Sequence, residues 1–369
     1  MISETSADAR TLTALNVIAV VSALAVLGAC SKQAPTTGTQ LPLQPARALM
    51  ALTRATLAQG TGPALVVIDL PSRVTQTLPL ASGAGSAGSA RPAALSAGTQ
   101  DSVPWGFVLD SGSGAISGFN LSVSALSTPT MVNALADVIP NALAAGRDTI
   151  FALSSDASSQ SNAVLWTGTR AQRLALFSSR ALTPMCAASV TSGFAAVAVT
   201  AGAAEVVLVD AAGVTLSRMA VPGDATMRPL ACAGQGDVLA IVTTGQLLTV
   251  STKAGQLAAG LVATLPHTLP LGTHPRLALS AGKTALGTDT GLTLFDNSTG
   301  KSTALNLLEP GTVVGLAATA DNTALLIGLG AGAEATALVA WFFAQQEEIP
   351  VARFGVAEGL VDIAVAAEP

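Results

Sequence analysis

The chain has 369 residues, half of them hydrophobic, with 11% charged residues and a formal net charge of −5. That composition supplies ample material for a large core and a surface covered by Ser, Thr and Gly rather than ions. The few Arg and Lys are scattered, so no basic stripe marks a nucleic-acid partner, and with 3% aromatics and no Tyr base-stacking and sugar-stacking platforms are poorly supplied.

The first segment, 1–29, reads as a sorting signal. After Arg10, residues 11–29 form a mostly apolar run that ends in small residues, the pattern of a signal-peptide core. The run closes on Leu27-Gly28-Ala29 before Cys30. This resembles the lipobox of bacterial lipoproteins, in which the Cys is acylated and becomes the mature N-terminus. The commoner order before the Cys is Ala-Gly, and Glu4 and Asp8 offset Arg10 upstream. The resemblance implies a membrane partner reached through acyl chains at Cys30. With Ser31 and no Asp after the Cys, sorting rules for such proteins imply the periplasmic face of the outer membrane. Residues 30–45 lack periodicity and are rich in Pro and Thr, as a tether is.

Residues 46–369 repeat at about 45 residues. In the clearest unit, Pro275 to Ser280, Thr284 to Thr288, Leu292 to Asp296 and Ser302 to Leu308 are short apolar strands with Gly, Asn or Asp at the turns between them. The same grammar recurs around Cys186, Cys232 and Val314. Four antiparallel strands per repeat are the pattern of a β-propeller blade. The run Leu292 to Lys301 resembles the third-strand turn of WD40-like and YVTN-like bacterial propellers, although the Trp-Asp and Gly-His dipeptides of true WD40 repeats are absent.

The expected fold is all-β: a seven-bladed propeller. A lone final strand, Gly359 to Val365, is expected to complete the first blade beside Ala48–Leu52, a velcro closure that removes both free sheet edges. Six or eight blades stay open as alternatives because Ala81 to Thr99, where the second blade should begin, is mostly Gly, Ser and Ala. An outer-membrane barrel would need longer strands and aromatic girdles.

Chemistry-bearing residues are sparse. His267 and His274 flank Pro270 and Gly272 in an inter-blade loop, at a spacing that matches no zinc pattern. Asp69, Asp210 and Asp296 recur at the ends of third strands, where turn capping explains them; Asp110 is similar. Cys186 and Cys232 lie in first strands of consecutive blades. Aligned on Pro184 and Pro229 they are offset by one residue, which is expected to point them to different faces as free buried thiols; a disulfide, which an oxidising periplasm would permit, stays open as the alternative. Arg276 and Asp362 lie on first strands, expected to line the central channel. No nucleophile elbow, phosphate loop or dinucleotide fingerprint occurs, so no catalytic residue, cofactor or metal is assigned. The resulting expectation is a non-catalytic scaffold or accessory subunit that engages envelope proteins. The alternatives are a propeller enzyme of lactonase-like or quinone-cofactor type, and a periplasmic small-ligand-binding protein.

Overall fold

A computed structural model describes residues 43, 46–57, 60–80, 91–122, 130–132, 140–154, 163–167, 170–177, 183–199, 203–223, 227–280, 282–331, 334–354 and 360–367. Cys30, its motif Leu27-Gly28-Ala29, the segment 1–29 and most of 30–45 lie outside the described residues, as does the Gly/Ser run 81–89.

The strands assemble into seven separate four-stranded antiparallel sheets, which is the propeller and rules out a single closed barrel wall. Blade 1 holds β1 (Ala46–Leu57), β2 (Gly60–Asp69) and β3 (Thr75–Pro79). Blades 2 to 7 follow in chain order as β4–β7 (92–132), β8–β11 (140–174), β12–β15 (183–220), β16–β19 (229–264), β20–β23 (276–305) and β24–β27 (312–353). The final strand β28 (Leu360–Ala367) returns to blade 1 and pairs with β1 from Ala46↔Ala367 to Leu52↔Leu360. The velcro closure therefore forms with the expected partner strand. One 3-10 turn, Lys253–Gly255, is the only helical element among the described residues.

Burial peaks in the middle strands of each blade, and the sequence follows it. Second and third strands are packed on both faces by the neighbouring blades, so Val238–Thr243 and Ala204–Val209 are almost continuously buried and read as apolar runs, not alternations. Fourth strands are exposed, as in Thr215–Ala220 and Arg170–Leu174. The core is thus divided into slabs between blades. Phe151 of blade 3 stacks on Phe194 of blade 4 at 5.2 Å between ring centroids, inside one such slab.

The inner strands are β4 (Pro92–Gln100), β8 (Pro140–Ala145), β12 (Thr183–Val190), β16 (Pro229–Gln235), β20 (Arg276–Ser280), β24 (Thr312–Ala318) and β28. They converge on the axis, where bulk is excluded. A Cβ on Gly315 would meet Ile363 Cγ1 at 2.6 Å, and one on Gly234 would collide with the Ser189 carbonyl. Pro92, Pro140, Pro184 and Pro229 stand at the starts of four of these strands, each followed by a register shift. Proline is tolerated there because the first residue of a strand and a bulge both leave an N–H unused.

One expectation is corrected. Cys186 and Cys232 are joined in a disulfide with Cα atoms 5.9 Å apart. The offset of one residue is real: Cys186 pairs with Val197, and the corresponding Ala231 with Val242. Its consequence was read the wrong way. Adjacent blades pack front to back, so two thiols meet only if they point to opposite faces of their own blades. Both Cys pack in the slab between blades 4 and 5, while Ala187 turns to the slab on the blade 3 side and Ala231 to the slab on the blade 6 side.

Candidate functional site

All seven inner strands contribute to a central channel of about 350 Å³. Its wall is mostly Ala, Leu and Ser, and among the described lining residues only Arg276 and Asp362 are ionisable. Both expected channel residues are therefore in place, and the fold brings them together. Arg276 opens β20 in blade 6, and Asp362 stands near the start of β28 in blade 1. Antiparallel blades put the starts of all inner strands at one end of the ring, so the pair marks one mouth of the channel.

The guanidinium reaches across blade 7. Arg276 Nη1 lies 3.8 Å from Asp362 Oδ1, and Nη2 donates to the Val361 carbonyl at 2.6 Å. The absent side chain at Gly315 lets β28 close against β24 there, which narrows the gap to be spanned. Asp362 Oδ1 accepts the Ile363 N–H at 2.9 Å.

The two side chains keep 29% and 24% of their surface exposed. Protein surrounds the rest of the carboxyl. This loss of hydration raises its pKa above the ordinary aspartate value, and the Arg276 charge and the N–H groups of Ile363 and Leu95 offset the rise only in part. The pair thus combines a cation held by a backbone carbonyl with a carboxyl that binds its proton more tightly than a surface Asp.

Beside the mouth lies a second hollow of about 270 Å³, lined by His274, Asp289, Thr288, Thr312 and again Arg276. In the sequence His274 reads as a loop residue and Asp289 as part of a turn. His274, Arg276, Thr288 and Asp289 belong to blade 6 and its entry loop and Thr312 to blade 7, but they stand on separate strands and turns, so no contiguous motif announces the hollow. Among the described residues no three His, Cys, Asp or Glu side chains gather to hold a metal.

The recurrent aspartates do not form a ring. Asp69 accepts the Ser72 N–H at 3.0 Å, Asp210 those of Ala212 and Val214 at 2.9 and 2.8 Å, and Asp296 those of Ser298 and Thr299 at 3.0 Å each. Each closes its own turn, as Asp110 does by accepting from Gly112, and Asp110 also accepts the N–H of Arg91 at the entry to β4.

No protein-family model matches the chain, and no curated protein matches it in sequence. Solved structures do match in fold. A Bacteroides fragilis protein provisionally named a 6-phosphogluconolactonase superposes with a TM-score of 0.60 at 12% identity, covering 90% of this chain and 99% of that one. The periplasmic gluconolactonase of Pseudomonas aeruginosa gives 0.58 at 15%, covering 88% and 100%. Apo AztD of Citrobacter koseri gives 0.55 at 10%, covering 88% and 98%. At such identities the likeness establishes the propeller fold.

The expectation of a non-catalytic scaffold is nonetheless corrected. Two of these neighbours, matched along nearly their whole length, carry enzyme names, and they favour the lactonase-like alternative. The physical reason for the misreading is the dispersal of the polar groups: Arg276 and Asp362 are 86 positions apart and meet only when the ring closes.

Proposed function

We propose that this protein is an exported propeller hydrolase that opens lactones at the mouth of its central channel. The observation that carries the reading is the Arg276–Asp362 pair, the ionisable groups among the described residues of a channel wall otherwise built mostly from Ala, Leu and Ser. In the proposed reaction Asp362, ionised, takes a proton from a water molecule as its oxygen attacks the lactone carbonyl. The guanidinium of Arg276, which has five N–H donors in all, stabilises the negative charge that develops on the carbonyl oxygen. The ring C–O bond then breaks, and the leaving alkoxide takes the proton back from Asp362. The net change is addition of water to give a hydroxy acid.

The test is hydrolysis of a lactone panel that includes δ-gluconolactone, read against the uncatalysed rate. Asp362→Asn is expected to lower kcat by about 10²- to 10⁴-fold, the usual contribution of a general base. Equal rates in the variant and the parent protein, or no lactone opened faster than in buffer, would sink the reading.

The exported location is part of the proposal. The Cys186–Cys232 disulfide supports it, because such bonds persist in oxidising compartments, and so does the Leu27-Gly28-Ala29-Cys30 motif. In this reading acylated Cys30 holds the propeller at the periplasmic face of the outer membrane through the tether 30–45. The parent protein should then incorporate labelled fatty acid and run as the form cleaved before Cys30, and Cys30→Ala should do neither. A membrane-bound parent with no label and no cleavage would point to an uncleaved apolar anchor instead.

A further inference from the structure

Toward the rim of the ring, blades 6 and 7 leave a cleft of about 660 Å³ that is separate from the channel and its mouth. Trp341 and Phe343 form its apolar side, partly buried against the slab between the two blades. Lys283, Lys301, Asp296 and Asn306 contribute its polar side. The composition is exceptional for this molecule. Two of the chain's four lysines and two of its twelve aromatic rings come to one cleft, on a protein with few ions and a net charge of −5.

The charges do not cancel. Asp296 lies 3.6 Å from Lys283 Nζ. Hydrogen bonds from Ser298, by hydroxyl and N–H, and then from Thr299 hold its carboxyl well below the usual range, so it stays ionised. Those same bonds tie it to its turn. Lys301 forms no ion pair among the described residues. The cleft therefore carries one uncompensated positive charge next to two half-exposed aromatic side chains.

We propose that this cleft is a binding site for small aromatic anions. A flat ring would pack against Trp341 and Phe343, where ring–ring contacts add to area burial. Its carboxylate, sulfonate or phosphate would meet Lys301. The volume falls within the range of small-molecule sites. A neutral aromatic would lose the ion pair, and an aliphatic anion would lose the ring contacts, so discrimination requires both features together. The site is independent of lactone hydrolysis.

The experiment is calorimetric titration of the full-length protein with naphthalene-2-carboxylate, beside the neutral 2-naphthylmethanol and the aliphatic hexanoate. Saturable binding of the aromatic acid, with both comparison compounds weaker, is expected. Lys301→Ala, on an exposed turn, should weaken the acid by about three- to fivefold, the scale of one solvent-facing ion pair. Lys301→Arg should restore it, and Asp362→Asn should leave it unchanged. Trp341→Phe should retain more affinity than Trp341→Ala. Equal affinity for the acid and the alcohol, no loss in Lys301→Ala, or no saturable binding of the acid would overturn the proposal. A loss in Asp362→Asn would place the ligand in the channel instead.

Discussion

At the scale of the residue, Asp362 is the side chain whose chemistry departs furthest from its surroundings. Its raised pKa gives two expectations that share one cause. If the ionised carboxylate is the base, activity falls as pH drops through its folded pKa, and the acid limb lies above the ordinary aspartate value of about 3.9. For stability the sign is the reverse of a salt-bridged acid. A carboxyl whose folded pKa exceeds its unfolded value makes its contribution fully below the unfolded value, and that contribution is lost as pH rises through the folded one. Asp362→Asn should therefore flatten the fall in stability across that window, as urea midpoints measured at intervals between about pH 4 and 7 would show. An unchanged pH profile for both activity and stability in the variant would mean that the channel hydrates this carboxyl as well as bulk water does.

Arg276 and Asp362 were legible as channel-lining residues because both fall in apolar first strands, where a charge has no other reason to stand. Their meeting was not legible. It depends on closure of the ring and on Gly315, whose missing side chain lets β28 approach β24. Asp289 gave no signal, since an acid in an Asp-Thr-Gly turn reads as turn chemistry. The lysine-bearing cleft was invisible for a similar reason: its parts come from two blades and from positions that look like ordinary turns and edges.

At the scale of the element, the strands and the seven repeats could be read from apolar runs punctuated by Gly, Asn and Asp. Blade 2 resisted because its small residues obscured the repeat. A better signal was present in the prolines: Pro92 opens the inner strand of blade 2 as Pro140, Pro184 and Pro229 mark those of blades 3 to 5. The disulfide was misjudged from correct positions, because alternation within a strand says which face a side chain takes and the packing of neighbouring blades says what that face meets. Cys186–Cys232 closes a span of 46 residues between two inner strands, and loop-closure arguments assign such a bridge about 2–4 kcal/mol. The double variant Cys186→Ser/Cys232→Ser should unfold at a lower denaturant concentration, with a somewhat steeper transition slope because the unfolded chain without the bond exposes more surface. An identical midpoint in the oxidised parent and the variant would show that the blades constrain the unfolded chain no more with the bond than without it.

At the scale of the whole molecule, the ring is held shut by one short strand that arrives last. β28 supplies the inner strand of blade 1, and Ile363 packs against the glycine positions 315 and 328 of blade 7. It therefore joins the first blade to the last. Ile363 and Ala366 are almost fully buried, so removing the strand would leave an inner edge of blade 1 unpaired and open the slabs on both sides of it. A chain ending at residue 359 loses Asp362 as well, so lost activity alone would not separate closure from chemistry. The discriminating variant is Ile363→Asp, which keeps Asp362 and the backbone pairing but puts a charge where blade 7 closes on blade 1. It should destabilise by several kcal/mol, because the buried carboxylate has no partner placed for it. Tm should fall even where the protein still folds at low temperature, and limited proteolysis should cut first in blades 1 and 7, the two that part when the ring opens. Cleavage spread evenly over all blades would mean that the ring unfolds as one unit and that β28 is an ordinary strand, no more decisive than any other inner strand.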